Sequence, residues 1–226
     1  MYVDHTPQQP GAVPTWFPRH EPPSARQRRK HGLADELRAL ITDVLMLDAE
    51  QAEEGVLAEA ERLLAAARTL VAALPDVREK GGVYGNPGDA PLWERSPFSG
   101  RCNALATPLR LWADGERTVG EATYGEAYEG PPGSVHGGHV IAAFDDLLGI
   151  AQAVTGQPGF TGTLSVRLVG RTPLNQRIDY EAGVESVSGR KVMMWGRSSC
   201  AGALLAEAAG IFIAPRGGLD LPNPPG

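Results

Sequence analysis

The sequence predicts an α+β fold, an antiparallel sheet curled around one long apolar helix, with a helical extension before it. Three observations predict it. Within residues 101–216, short runs of strand character are separated by turn signals and interrupted once, by the apolar run from Gly138 to Ile150. The resulting order is strand, strand, helix and four more strands, which suits a sheet folded about a single helix. From Leu33 to Pro75 the apolar residues recur instead at helical spacing.

The 226 residues are enough for one domain of ordinary size plus an extension. A net charge of −6 argues against non-specific nucleic-acid binding. Cys102 and Cys200 lie far apart and make neither a disulfide framework nor a cluster at metal-ligand spacing, which fits a reducing cytoplasm. No metal is expected on that ground. There is no run of about eighteen apolar residues, and the N-terminus lacks an apolar core of signal-peptide type. A cytoplasmic protein with no membrane span is the expectation.

Residues 1–32 carry Pro7, Pro10, Pro14, Pro18, Pro22 and Pro23, then Arg26, Arg28, Arg29 and Lys30. Proline at that density opposes both helix and ladder, so the segment is expected as an extended or disordered arm. Its basic cluster is read as part of a solvated tail, with Trp16 and Phe17 available to dock, rather than as a nucleic-acid or membrane contact. Residues 33–80 form the helical extension. Leu33, Leu37, Leu40, Ile41, Val44 and Leu45 fall on one stripe of a first helix, and Val56-Leu57, Leu63-Leu64 and Leu70-Val71 repeat every seven residues in a second, from Asp48 to Pro75. The pair is expected to pack on the domain or across a dimer contact. Residues 81–100 are a connector rich in glycine and proline, with neither the G-x-G-x-x-G pattern nor P-loop spacing.

In residues 101–216, strands are expected at Leu105–Trp112 and Thr118–Tyr128, joined at Asp114-Gly115, a hairpin signal. After a helix ending near Gly156 come Phe160–Val169, Arg177–Val187, Lys191–Cys200 and Leu204–Ala214. Leu164, Val166 and Leu168 share one face of the first of these, and Ser188-Gly189 makes a tight turn between the second and third. Residues 217–226 are expected as a flexible tail. A curled sheet leaves one side of the helix bare, so a homodimer at least, or a dimer of dimers, is expected.

The chemistry concentrates in GPPGSVHGGHVIAAFDDLLG, Gly130 to Gly149. Consecutive glycines where the helix opens leave backbone N–H groups accessible to an oxygen at its positive end. Asp145 and Asp146 interrupt an otherwise apolar helix, and a carboxylate there should face water, a ligand or another subunit. A carboxylate beside an oxyanion site suggests carbonyl chemistry. The two aspartates lie about 100° apart around the helix, so both cannot point into one pocket. Asp146 follows His139 by seven residues, and a contact between them is the ordinary reading. For Asp145 the competing reading is a salt bridge to an arginine of the sheet.

The stretch resembles the hotdog-fold acyl-coenzyme A thioesterases of the PaaI-like family, in the branch with G-P-P-G-x-V-H-G-G and an aspartate nine positions after the histidine. Gly130, Pro131, Pro132, Gly133, Val135, His136, Gly137, Gly138 and Asp145 meet that pattern, and the resemblance runs from about Leu92 to Pro215. It implies a thioester hydrolase whose sites lie at a subunit contact. Asp145 would be the general base or the nucleophile, Gly137 the oxyanion donor with Gly138 beside it, and His136 a residue that orients the loop or lines the pocket. Thr161 would hold the water or the carboxylate, and Arg190 and Lys191, after Gly189, would lie near the phosphates of coenzyme A. Arg167 and Arg171 are weaker candidates. Coenzyme A would enter as part of the substrate, and no cofactor is expected. Leu168 stands where the family often has tyrosine, and Gly130 where some relatives have asparagine. The alternative is a non-enzymatic acyl-ligand binding or scaffold protein using the same pocket. Dehydratase and serine-hydrolase chemistry lack their patterns, including G-x-S-x-G.

Overall fold

The computed structural model describes residues 22–76, 92–156 and 159–216. Three helices, α1 (Ala25–Met46), α2 (Glu54–Ala72) and α3 (Gly137–Ala151), accompany six strands: β1 (Arg110–Asp114), β2 (Arg117–Thr123), β3 (Phe160–Leu168), β4 (Arg177–Ser188), β5 (Lys191–Cys200) and β6 (Ala203–Ile213). The strands form one antiparallel sheet in the order β1-β2-β4-β5-β6-β3. Among the described residues, no helix is long and apolar enough to cross a membrane.

The sheet wraps α3, as its composition requires. Val140, Ala143, Phe144, Leu147, Leu148 and Ala151 are buried against Ile178, Tyr180, Ala182, Val192, Met194, Ala206, Ala208 and Phe212. Two glycines set how closely the layers approach. A Cβ on Gly196 would lie 3.1 Å from Leu148 and 3.2 Å from Phe144, and one on Gly210 would lie 2.9 Å from Leu148. Side chains at either position would push the helix off the sheet. On the outer face, one register row reads Glu181, Arg197, Glu207 and Arg167 across β4, β5, β6 and β3, and alternating sign pairs each residue with its neighbour.

Several boundaries differ from the sequence reading. The arm expected through residue 32 is helical from Ala25, because Ser24 and Gln27 make a reciprocal capping box: the Gln27 N–H donates to Ser24 Oγ at 3.2 Å and the Ser24 N–H to Gln27 Oε1 at 2.8 Å. Trp16, Phe17 and the rest of residues 1–21 lie outside the described residues, as do 77–91, which take in the end of the expected extension and the first part of the connector, and the tail (217–226). The expected strand to Tyr128 stops at Thr123, and Glu126–Tyr128 forms a 3-10 turn that leads into the glycine-rich loop.

The extension does not use its apolar stripe to meet the body. The residues that α1 buries are His31 and Ala34, whereas Leu33, Leu37, Ile41, Val44 and Leu45 are exposed, and α2 buries none. Polar groups anchor the helix instead. Arg38 donates to the carbonyls of Gly100, Arg101 and Asn103 at 3.3, 3.1 and 2.9 Å, and His31 Nε2 sits 2.8 Å from Glu94 Oε2.

Candidate active site

The loop before α3 is fixed by its backbone. The Gly130 N–H donates to Ser134 O, Val135 N–H to Thr172 O, and His136 N–H to Tyr128 O, at 2.8 to 2.9 Å. Gly133 adopts φ +72°, which glycine alone takes readily. A Cβ on Gly130 would stand 2.6 Å from His136 Cα, so glycine is required where the loop crosses itself. Arg171 donates to Pro132 O at 2.9 Å and so holds the loop.

That loop delivers His136 as the N-cap of α3. Its Nδ1 accepts the Gly138 N–H at 3.0 Å, which places the neutral ring's proton on Nε2. Gly138 therefore has no bare amide, contrary to the expectation that both glycines offer one. Gly137 is the first helical residue, and its N–H has no acceptor among the described residues. Leu168 lies beside it, 3.4 Å from where a Gly137 Cβ would be.

Asp145 sits half-buried, two turns further along α3, and accepts a hydrogen bond from Thr161 Oγ1 at 2.9 Å. Among the described residues it makes no ion pair. The competing salt bridge to a sheet arginine is absent there, and four of the sheet arginines pair elsewhere: Arg117 and Arg197 with Glu181, Arg167 with Glu207, and Arg177 with Glu121 and Asp179.

Thr161 reaches Asp145 through an irregularity. Thr163 pairs with outward-facing Ile211, so simple alternation would turn Thr161 outward as well. A bulge between Thr161 and Thr163 instead pairs Thr161 with inward-facing Phe212, and the hydroxyl faces α3.

Asp146 departs from expectation. Rather than meeting His139, it is held by Ser96 Oγ, 3.3 Å from each carboxylate oxygen, and by Ser99. Burial pushes its pKa up, against the lowering effect of the two serines. His139 packs edge-on against Tyr128, 5.1 Å between centroids, and near His136; burial and then His136 lower its pKa. The 100° step around the helix thus sends Asp145 toward β3 and Asp146 into the connector.

Arg190 donates to Ala214 O at 2.8 Å. Lys191 belongs to the outward set of β5, with Met193, Trp195 and Arg197, while Val192 and Met194 face α3. Both cations lie at the end of the sheet nearest Thr161, since Lys191 pairs with Ile213 and Ile213 with Phe160. Neither is brought to Asp145 within one protomer.

No family model matches the chain, and no curated protein does. Among solved structures, a hypothetical thioesterase protein of Streptococcus pneumoniae TIGR4, crystallised with coenzyme A, is 14% identical over 48% of this chain and 90% of its own, with a TM-score of 0.45. A putative thioesterase described as phenylacetic acid degradation-related, from Ralstonia eutropha JMP134, is 20% identical over 46% and 83%, with a TM-score of 0.42. Both are distant likenesses. A thioesterase superfamily protein named RHA08564 is much nearer, 30% identical over 85% of this chain and 97% of its own, with a TM-score of 0.69. With that relative matched over nearly its whole length, the curled sheet around α3 is the hotdog fold, and the chain belongs to the thioesterase superfamily.

Proposed function

We propose that the protein hydrolyses an acyl-coenzyme A thioester to the free acid and coenzyme A, at a site completed by a second copy of the chain. The observation that carries this reading is Asp145, a carboxylate on the open side of a buried helix, oriented by Thr161 and free of any ion pair among the described residues. Such a group can take the proton of a water attacking the thioester carbon. The carbonyl oxygen, gaining negative charge, would rest on the Gly137 N–H. Collapse then breaks the C–S bond, and the departing sulfur takes up a proton. If Asp145 attacks the carbon itself, water hydrolyses the resulting anhydride to the same products.

Helix geometry argues for the second copy. Eight residues separate Gly137 from Asp145, which is about 12 Å along α3. One thioester cannot touch both in a single protomer. Two α3 helices running antiparallel about a two-fold axis would set Gly137 of one chain opposite Asp145 of the other, twice. The uncovered line on α3 supports this, with Gly138 exposed, Ile141 43% exposed and Asp145 half-buried, and so does the open edge of β3 with Phe160 and Leu168 exposed. Arg190 and Lys191 would then be candidates to meet the phosphates.

The test is thiol release from a panel of acyl-coenzyme A substrates. Asp145→Asn should lower kcat by about 10²- to 10⁴-fold. Gly137→Pro is the sharper probe, because proline is tolerated at the first helical position and deletes only the orphan N–H. His136, at φ −60° and ψ 132°, already has the backbone that precedes proline. A loss of about 10²- to 10³-fold is expected for Gly137→Pro, with Gly137→Ala near wild type. Wild-type rates no better than those of Asp145→Asn would overturn the proposal, and stabilisation by a non-hydrolysable acyl-coenzyme A without turnover would make this a binding protein.

A further inference from the structure

Away from α3, three side chains from separate segments converge on one point. His31 comes from α1, Glu94 from the 3-10 turn Leu92–Arg95, and Cys102 from the loop that follows. His31 Nε2 is 2.8 Å from Glu94 Oε2, Cys102 Sγ donates to the same oxygen at 3.2 Å, and all three donor atoms lie within 4.8 Å of one another. His31 and Glu94 are each only 4% exposed.

We infer that His31, Glu94 and Cys102 bind one divalent cation of the zinc class, which fastens α1 to the body of the protein. The donor set selects the ion. An imidazole nitrogen, a thiolate sulfur and a carboxylate oxygen together suit zinc and its neighbours rather than magnesium or calcium, which take oxygen ligands. Three protein ligands leave a fourth tetrahedral position for water. Charge fits as well, since a carboxylate and a thiolate neutralise a dication with the imidazole uncharged, so no net charge is buried. Bonds of about 2.0 to 2.3 Å in a tetrahedron put donor atoms about 3.3 to 3.8 Å apart. The hydrogen-bonded pairs at 2.8 and 3.2 Å would separate by about half an ångström or less, and the His31 and Cys102 donors, within 4.8 Å of each other, would settle at the same spacing around the ion.

The backbone presets the ligands. Cys102 N–H donates to Glu94 O at 2.9 Å, which clamps the two ligand segments together, and Arg38 grips the carbonyls on either side of Cys102. His31 and Arg38 stand seven residues apart on the docked face of α1, so the helix cannot leave without opening the cluster.

The experiment uses tag-free full-length protein, stripped with a chelator and titrated with Co²⁺, whose thiolate charge-transfer band and intense visible bands report a tetrahedral site containing sulfur. Wild type should bind one equivalent and lose the bands to Zn²⁺, and Zn²⁺ should raise Tm and slow hydrogen exchange in α1. Cys102→Ser keeps a hydroxyl for Glu94 but should abolish the charge-transfer band, His31→Ala should weaken binding at least tenfold, and Cys200→Ser should match wild type. Circular dichroism checks that each variant is folded. No cobalt spectrum in wild type, or a band that survives Cys102→Ser, overturns the site and leaves a hydrogen-bonded latch. None of these readouts depends on thioester turnover.

Discussion

Helices α3 and α1 both carry leucine, isoleucine and alanine, yet they join the molecule in opposite ways. Helix α3 buries most of its apolar residues under the sheet and leaves a narrow line of Gly138, Ile141 and Asp145 uncovered. Helix α1 buries His31 and Ala34, anchors through Arg38, and presents Leu33, Leu37 and Ile41 outward. The contrast teaches that an apolar stripe identifies a surface needing cover but not which partner supplies it. For α3 the sheet covers it within the chain. For α1 a polar contact fixes the position, and the stripe remains for something else.

The largest expected effect breaks the α3 side of this comparison. Phe144 is wholly buried, packs edge-on against Tyr180 at 5.8 Å, and lies against Gly196. Phe144→Ala should cost about 3 to 5 kcal/mol in urea denaturation, because the glycine-bounded layer has little room to collapse into the cavity. A cost below about 1 kcal/mol would mean that the helix is not the organising element of the core.

A smaller effect concerns the polar residue that α3 tolerates. Burial holds the folded Asp146 carboxyl above its ordinary value of 3.8, so the folded state keeps its proton more tightly than the unfolded chain does. The stability this gives is fully present below the unfolded value and is lost as pH rises through the raised folded value. Asp146→Asn removes that titration and leaves an acceptor for Ser96 or Ser99. Between acid and neutral pH, the stability of the variant should therefore decline less than that of wild type. Denaturant midpoints at a series of pH values measure this, and equal slopes would contradict the buried placement of Asp146.

Much of this molecule was legible from its residues, for reasons the two helices make plain. Strand alternation and the run from Val140 to Ile150 report burial directly, so β3 to β6 and the start of α3 fall within a residue or so of the expectation, whereas the start of β1, the end of β2 and the end of α3 each differ by about five. The G-P-P-G loop and His136 marked where α3 begins. What escaped depends on three-dimensional accidents of register and reach. The bulge beside Gly162 turns Thr161 from the outer face to the inner one, and strict alternation would have pointed it away. The histidine ring folding back on Gly138 takes up one of the two amides that consecutive glycines at a helix start leave accessible. Ser96 and Ser99 lie about fifty residues before Asp146, and His31 lies 63 before Glu94, so no local spacing could have joined them.

The smallest expected effect tests the α1 side. Leu37 is 50% exposed, while Ala34, less than one turn earlier, is 4% exposed. If the helix is held by its polar face, Leu37→Glu should change protomer stability by no more than about 0.5 kcal/mol. Ala34→Glu forces a charge into the buried face of α1 and should release the helix, seen as faster hydrogen exchange through residues 25–46 with α3 unchanged. Leu33, Leu37 and Ile41 of α1 are exposed in the single chain, as are Val56, Leu63, Leu64 and Leu70 of α2. Sedimentation of the Leu37→Glu variant separates the two roles: a fall to a smaller species with the same denaturation midpoint places the stripe between copies of the chain. A matching loss of protomer stability would instead show that leucine packing holds α1 down, and the contrast with α3 would disappear.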